Sequence, residues 1–213
     1  MAYGESRRHQ AGPTGRCPRG AFDVNSQRAI TIVGIPGSLR RESFNRQLLH
    51  AVSHELPPGL NLDVWNGLAR IPAFNEDLED GPVPEAVADL RSAIAQADAA
   101  LIATPEYNGS IPGQLKNALD WASRPRGSAV LEGKPVATMS ASPTPYGAAW
   151  AQESLRRVLT IIGAELVGSE LAVPQAFQQF DAASRLIAPE FRQQCTGLIG
   201  ELAARFDPAM TAA

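Results

Sequence analysis

The chain has 213 residues, enough for one sizeable core, and its hydrophobic (44%) and charged (19%) fractions are those of an ordinary globular protein. The net charge of -3 is uneven: five arginines face two acidic residues in the first 28 positions, which leaves a net -6 on the remainder. A basic tail on an acidic body argues against a nucleic-acid surface on the folded part, and no stretch has the roughly 20 uninterrupted apolar residues of a membrane span.

The two ends of the chain differ in composition from its middle. Residues 1–27 are rich in Gly, Pro, Arg and Gln and hold no continuous apolar segment. This predicts a disordered basic tail, or one resting on a neighbouring subunit, then one domain at 28–207 and a short C-terminal tail at 208–213.

Cys17 and Cys195 lack CxxC spacing, and His50 and His54 have no third ligand in a recognisable spacing. We therefore expect a soluble, cytoplasmic protein with no metal site.

Five short apolar runs alternate with helical stretches along the domain. Strands are predicted at 29–35, 61–65, 99–104, 135–140 and within 165–173. Apolar residues recur at helical spacing from Phe44 onward and behind Pro84, Pro112 and Pro189, since proline suits a first helical turn. A further helix is predicted to end at Gly163. This alternation is typical of an α/β protein with a doubly wound parallel sheet.

The loop between the first strand and the first helix, GSLRRESFN at 37–45, has the polar groups that a phosphate needs. Ser38, Ser43 and Asn45 are neutral donors and Arg40 is a charged one, at a helix start whose N–H groups lack intrahelical partners. The loop lacks G-x-G-x-x-G and G-K-[ST], so a mononucleotide phosphate is favoured. The alternative is that Ser43 only caps the helix and Arg40 is solvated.

A phosphate loop directly after the first strand favours the flavodoxin-like order 2-1-3-4-5 for a five-stranded sheet. The loop after the third strand must then also face the ligand. This loop, TPEYNGSIPG at 104–113, has two prolines and an Asn-Gly pair, which predict a rigid turn. Tyr107 offers a flat face to a planar heterocycle, and Asn108 and Gly109 offer N–H groups. The alternative is an ordinary connection with Tyr107 on the surface.

Three motifs together resemble the NADPH-dependent FMN reductase family, a flavodoxin-like group that includes bacterial chromate and quinone reductases. They are GSLRRESFN, IPAFNEDLE at 71–79 and TPEYNGSIPGQLKNALDWASRP at 104–125. The resemblance covers about residues 30–206 and implies bound FMN with NADPH or NADH as co-substrate. It implies phosphate contacts from Ser38, Arg40, Ser43 and Asn45, isoalloxazine contacts from Pro105, Glu106, Tyr107, Asn108 and Gly109, and an approach from the other side by Ser140 and Ser142.

The activity implied is that of an FMN-dependent NAD(P)H oxidoreductase. Hydride would pass from nicotinamide to FMN, and a small acceptor would then replace the nicotinamide in a ping-pong mechanism. Quinones, flavins, chromate and azo compounds all remain possible acceptors. No side-chain acid or base is needed, so no catalytic residue is predicted. The resemblance also implies a homodimer or homotetramer.

Two other functions remain open at this point. One is a flavodoxin-type electron carrier, and the other is an FMN-binding regulatory module; neither would oxidise NAD(P)H. The sequence also departs from the family in one segment, TPYGAAWAQ at 144–152. Similar sequences commonly have a Gly-Gly-rich turn and Arg-Ala-Gln there, so acceptor choice and nicotinamide handling do not carry over from the resemblance.

Overall fold

A parallel β-sheet with helices on both faces makes up the fold. The computed structural model of the chain describes residues 28–79 and 81–206. The tails predicted at 1–27 and 208–213 lie outside the described residues. The strands are β1 (Ile30–Pro36), β2 (Leu60–Val64), β3 (Ala99–Ala103), β4 (Pro135–Ala141), β5 (Glu165–Leu166) and β6 (Leu171–Val173). The helices are α1 (Phe44–His54), α2 (Glu85–Gln96), α3 (Gly113–Ala122), α4 (Ala149–Ile162) and α5 (Pro189–Ala203).

The sheet has the order β2-β1-β3-β4-β5, which confirms the flavodoxin-like prediction. All the pairings are parallel, and β1 pairs with both β2 and β3. The chain winds outward from β1 to β2 and then in the opposite direction from β3 onward. Ligands bind at the carboxyl ends of the strands where the winding direction reverses, so the fold points to the ends of β1 and β3.

The edge of the sheet beyond β4 differs in detail from the single fifth strand expected within 165–173. Two short segments occupy this position: β5 pairs with the start of β4, and β6 pairs with its end. Between them Gly168 has a φ of +74°, a left-handed conformation that interrupts an extended strand. The division arises from this backbone conformation, which the apolar pattern does not reveal.

The predicted helix boundaries are confirmed at the prolines and at Gly163. Pro84 and Pro112 precede α2 and α3, and Pro189 is the first residue of α5. Gly163 ends α4 with a φ of 93°, and its N–H donates back to Leu159 O. Within the described ranges, no helix combines the length and the apolar character needed to cross a membrane.

Both faces of the sheet are covered by apolar packing. All five residues of β3 are buried, and successive residues point to opposite faces. Leu101 belongs to the apolar cluster that includes residues of α1 and α5, whereas Ile102 belongs to the cluster that includes residues of α2, α3 and α4. Because helices cover both faces of the sheet, the loops at its carboxyl edge remain accessible to a ligand.

Gly37 is the point where β1 passes into the predicted phosphate loop, and it approaches β3 closely. Its N–H donates to Ala103 O at 2.7 Å, and an added Cβ would lie 2.7 Å from Leu115 Cδ2 and 3.1 Å from Ala103 O. Leu115 is fully buried, so its side chain has little room to move. We expect Gly37→Ala to lower the free energy of unfolding by roughly 1–3 kcal/mol in urea titrations.

Gly113→Ala is the matched control for this prediction. Gly113 begins α3, and nothing lies within 4 Å of an added Cβ there. Alanine is the better helix former, so the control variant should be as stable as the parent or slightly more stable. Equal stability of the two variants would contradict the close packing described at Gly37.

Candidate functional site

A depression of about 160 Å³ lies at the carboxyl edge of the sheet, between the loops that follow β1, β3 and β4. Eight of the eleven residues predicted from the sequence line it: Ser38, Arg40, Ser43, Asn45, Pro105, Glu106, Tyr107 and Ser142. Four further residues complete the lining: Phe44, Ala141, Pro143 and Thr144. The predicted phosphate loop and the predicted ring-binding loop therefore meet in one place.

The loop after β1 presents hydroxyl groups and a positive charge at the start of α1. Ser43 is the N-cap residue, and its Oγ accepts from Arg46 N at 3.3 Å, while Ser38 Oγ accepts from Arg40 N at 3.2 Å. Both serines are buried, and each hydroxyl keeps its hydrogen for a further acceptor. The first turn of α1 has no acidic residue, so its positive dipole end is open to an anion.

Arg40 lines the same depression. Its side chain is exposed and forms no ion pair with any residue in the described ranges.

The helix cap, which the sequence predicted as an alternative role of Ser43, is present, because Ser43 Oγ accepts from Arg46 N. It does not conflict with anion binding, because the serine accepts from the backbone and can donate to a ligand at the same time.

Asn45 joins the first turn of α1 to the end of β4. Its Nδ2 donates to Ala141 O at 2.9 Å, and its Oδ1 accepts from Ala141 N at 2.9 Å. The residue is buried, so this two-bond contact is shielded from water. Asn45 lines the depression as expected, but one Nδ2 hydrogen is all that its amide group still has to donate. Its clear structural contribution is to hold the first and third loops of the site together.

The loop after β3 contains a two-residue hairpin. Tyr107 N donates to Ser110 O at 2.9 Å, and Ser110 N donates to Tyr107 O at 3.2 Å. Asn108 and Gly109 between them have φ values of 54° and 74°, as a type I′ turn requires. These two residues form an exposed tip beside the depression and do not line it. Tyr107 lines the depression and is 47% exposed, so part of its side chain is available to a ligand.

Ser140 is fully buried at the end of β4 and does not line the depression. Its Oγ donates to Gly147 O and accepts from Gln152 Nε2, the latter at 2.9 Å. The hydroxyl therefore connects β4 to the turn that leads into α4. Ser142, two residues further on, does line the depression, and its Oγ accepts from Thr144 N at 3.2 Å.

The turn between β4 and α4 is left-handed at two successive residues. Gly147 and Ala148 have φ values of 60° and 67°, and Ala148 caps α4 without a side-chain hydrogen bond. A left-handed alanine is a strained conformation that the surrounding structure must hold in place. Glu106 Oε2 accepts from Ala151 N in the first turn of α4 at 3.2 Å, which joins this turn to the loop after β3.

The thiol of Cys195 lies in α5, outside the lining of the depression. Burial, and secondarily the charge of Glu55, raises its pKa to about 12. The thiol therefore stays protonated at neutral pH and offers no thiolate nucleophile.

A larger depression, of about 530 Å³, lies between α3 and α4. It contains none of the predicted site residues, and its lining includes Lys116, Asp120 and the exposed Ile161. By volume alone, this larger depression would be the better candidate for a ligand site. The donors, the open helix start and the point where the winding reverses all favour the smaller one at the carboxyl edge.

The chain is similar in sequence and structure to known flavoenzymes. Residues 30–178 match the model of the NADPH-dependent FMN reductase family. A 2-hydroxy-1,4-benzoquinone reductase of a Burkholderia species is 38% identical over 83% of this chain and 96% of the relative, and an NAD(P)H-dependent FMN reductase of Pseudomonas aeruginosa is 40% identical over 77% and 88%. A solved NAD(P)H:(acceptor) oxidoreductase from Paracoccus denitrificans has a TM-score of 0.74 and 30% identity, covering 82% of this chain and 97% of that one.

The chain therefore belongs to the NADPH-dependent FMN reductase family and is an enzyme that uses FMN and a nicotinamide nucleotide. The residues of the depression fit the flavin nucleotide. Buried hydroxyls, an exposed arginine and an uncompensated helix start suit a phosphate. About 160 Å³ is too small to enclose the whole cofactor, so the depression matches one end of it in size.

We expect Asn45→Ala to lower the free energy of unfolding by about 2 kcal/mol, because it leaves two buried backbone groups of Ala141 without partners. Urea titration of the protein without added flavin isolates this effect from ligand binding. Asn66→Ala is the control, since Asn66 is exposed and makes a single bond to Val64 O at 3.1 Å. A loss in Asn45→Ala no larger than in the control would contradict the role of this contact.

Proposed function

We propose that the chain is an NAD(P)H-dependent quinone reductase whose FMN is held between the loops after β1 and β3. The observation that carries this proposal is the meeting of eight sequence-predicted residues in one depression at the point where the winding reverses. The quinone assignment is supported by the Burkholderia relative, which is named a 2-hydroxy-1,4-benzoquinone reductase. Membership of the reductase family favours this function over an electron carrier or a regulatory module.

The phosphate end of the site uses three side chains in our proposal. The Ser38 and Ser43 hydroxyls donate to phosphate oxygens, and Arg40 folds over them from the rim, where its guanidinium is exposed and unpaired among the described residues. Asn45 and Ser140, which the sequence suggested as direct contacts, are positioning residues here. Their polar atoms hold Ala141 and Gly147 and thereby shape the third loop of the site.

The ring end of the site is supplied by the loop after β3. We assign Pro105, Glu106 and Tyr107 to the wall of the site, with Asn108 and Gly109 beside it at the hairpin tip. When bound, FMN would supply the redox chemistry, which is the transfer of hydride from NAD(P)H and of electrons to the acceptor. The chain's own contribution would be to hold the ring against a rigid turn with one face left to the substrates. Nicotinamide and acceptor would use that face in turn, which gives ping-pong kinetics without a side-chain acid or base.

Assembly and location remain proposals. Trp65 is buried, and Phe74 packs edge-on against Trp121 with the ring centroids 5.0 Å apart, so these aromatic rings pack within the subunit. Ile161 is 78% exposed and borders the larger depression together with Val158, so this surface supports a homodimer or homotetramer. We also propose a cytoplasmic location, because cysteine usage is that of a reducing compartment.

Arg40→Ala should weaken FMN binding by about tenfold to a hundredfold, since a charge-assisted contact to phosphate is lost. Arg41→Ala is the matched control: Arg41 is the adjacent, exposed residue of the same charge, but it does not line the depression. Dissociation constants from flavin fluorescence titration at two salt concentrations measure both effects. Equal weakening in the two variants would indicate a diffuse electrostatic effect and contradict the direct contact.

The proposed mechanism is tested by spectra and steady-state kinetics of the full chain. The protein reconstituted with FMN should show flavin absorbance that bleaches on anaerobic addition of NADPH or NADH alone, and double-reciprocal plots against a benzoquinone should be parallel. Bleaching with intersecting plots would contradict the ping-pong order. A protein that cannot be loaded with FMN would contradict the proposed site.

A further inference from the structure

Two aromatic side chains stand exposed beside the site, on the turn between β4 and α4. Tyr146 is 64% exposed and Trp150 is 55% exposed, and their ring centroids lie 5.4 Å apart with the planes tilted by 32°. Aromatic side chains that leave over half of their surface in water forgo most of the apolar burial that usually stabilises them. The two rings thus form an uncovered aromatic surface, which we call the aromatic pair.

The aromatic pair is connected to the depression on both sides. Thr144, two residues before Tyr146, lines the depression, and Ala151, next to Trp150, donates its N–H to Glu106 Oε2. Glu106 is itself a lining residue in the loop assigned to the flavin ring. The pair therefore lies at the border of the site, beside the ring end rather than at the helix start that suits the phosphate.

The segment that carries the pair is held firmly in place. Gly147 O accepts from the buried Ser140 Oγ, and Thr144 O accepts from Gln175 N at 3.1 Å. The left-handed Ala148, with a φ of 67°, directs the chain into α4. These buried polar anchors fix the backbone that carries the two rings, which contact each other.

The chemistry of the segment limits what can bind there. Residues 143–152 contain no charged side chain. A pyrophosphate or an oxyanion such as chromate would find no cation within this segment, whereas a neutral planar ring can stack on tyrosine and tryptophan. The two rings pack against each other, with centroids 5.4 Å apart, and a fused two-ring molecule offers a larger stacking face to this pair than a single-ring molecule does.

We infer that Tyr146 and Trp150 bind the electron acceptor and select neutral fused-ring quinones over single-ring and anionic acceptors. This inference rests on the proposed function, because it adds an acceptor-binding surface to the same site. The two residues are specificity determinants that contact the acceptor, and they take no part in holding FMN phosphate or in the reaction with NAD(P)H.

The test compares acceptors in the FMN-loaded full chain with Tyr146→Ala, Trp150→Ala and the double variant. We expect the double variant to lower kcat/KM for 2-methyl-1,4-naphthoquinone about tenfold, mainly through a higher KM. The loss for 1,4-benzoquinone should be about threefold or less, and the rate with ferricyanide should not change. Tyr146→Phe and Trp150→Phe should retain most of the naphthoquinone activity, because each keeps an aromatic face.

Phe206→Ala is the matched control, an exposed aromatic residue far from the site. Its neighbour Arg205 pairs with Glu165 at the start of β5, which places it at the opposite edge of the sheet. Flavin absorbance should be the same in all variants, and Phe206→Ala should match the parent protein in the rate of flavin bleaching by NADPH. These two readouts test the proposed function separately from the acceptor preference.

Each contrary result has a distinct meaning. A double variant that matches the control with every acceptor, while FMN and the NADPH reaction are normal, would overturn the inference and leave the proposed function intact. A higher KM for NADPH in place of the quinone effect would assign the pair to the nucleotide and also overturn it. A parent protein that takes up no FMN would overturn the proposed function itself.

Discussion

The parallel pairing of β1 with β3 is the constraint on which the site depends. It joins segments about 70 residues apart in the sequence and places their carboxyl ends side by side, with Pro36 opposite Ala103. Gly37 extends the contact by donating its N–H to Ala103 O. The loop with the helix start and the loop with the hairpin can meet in one depression because these two strands are neighbours.

The third loop is positioned by buried polar contacts instead of strand pairing alone. Asn45 holds Ala141 from the first turn of α1, and Ser140 and Gln152 hold the turn at Gly147. Buried polar groups destabilise a fold unless they are hydrogen-bonded, and Gln152 Oε1 has no partner within the described residues. The unpaired Gln152 oxygen and the left-handed Ala148 both lower the stability of this region, whose geometry beside the site is fixed by the other contacts.

Much of this arrangement was predictable because it follows from local rules. The Asn108-Gly109 turn, the prolines at helix starts and Gly163 at the end of α4 each reflect a backbone preference of one or two residues. The roles of Asn45 and Ser140 were not predictable in the same way. Their partners lie elsewhere in the fold, and a polar residue in a motif does not reveal whether it faces a ligand or another loop.

The sequence by itself determined the order of strands and helices, the two loops with unusual turn and cap chemistry, and the family, because apolar periodicity, turn chemistry and long motifs are properties of contiguous residues. Tertiary structure alone decided which predicted residues line the depression, that the last strand is divided at Gly168, and that Tyr146 and Trp150 stand uncovered together. These features depend on contacts between distant segments, and the side chains involved acquire their neighbours only when the sheet has formed.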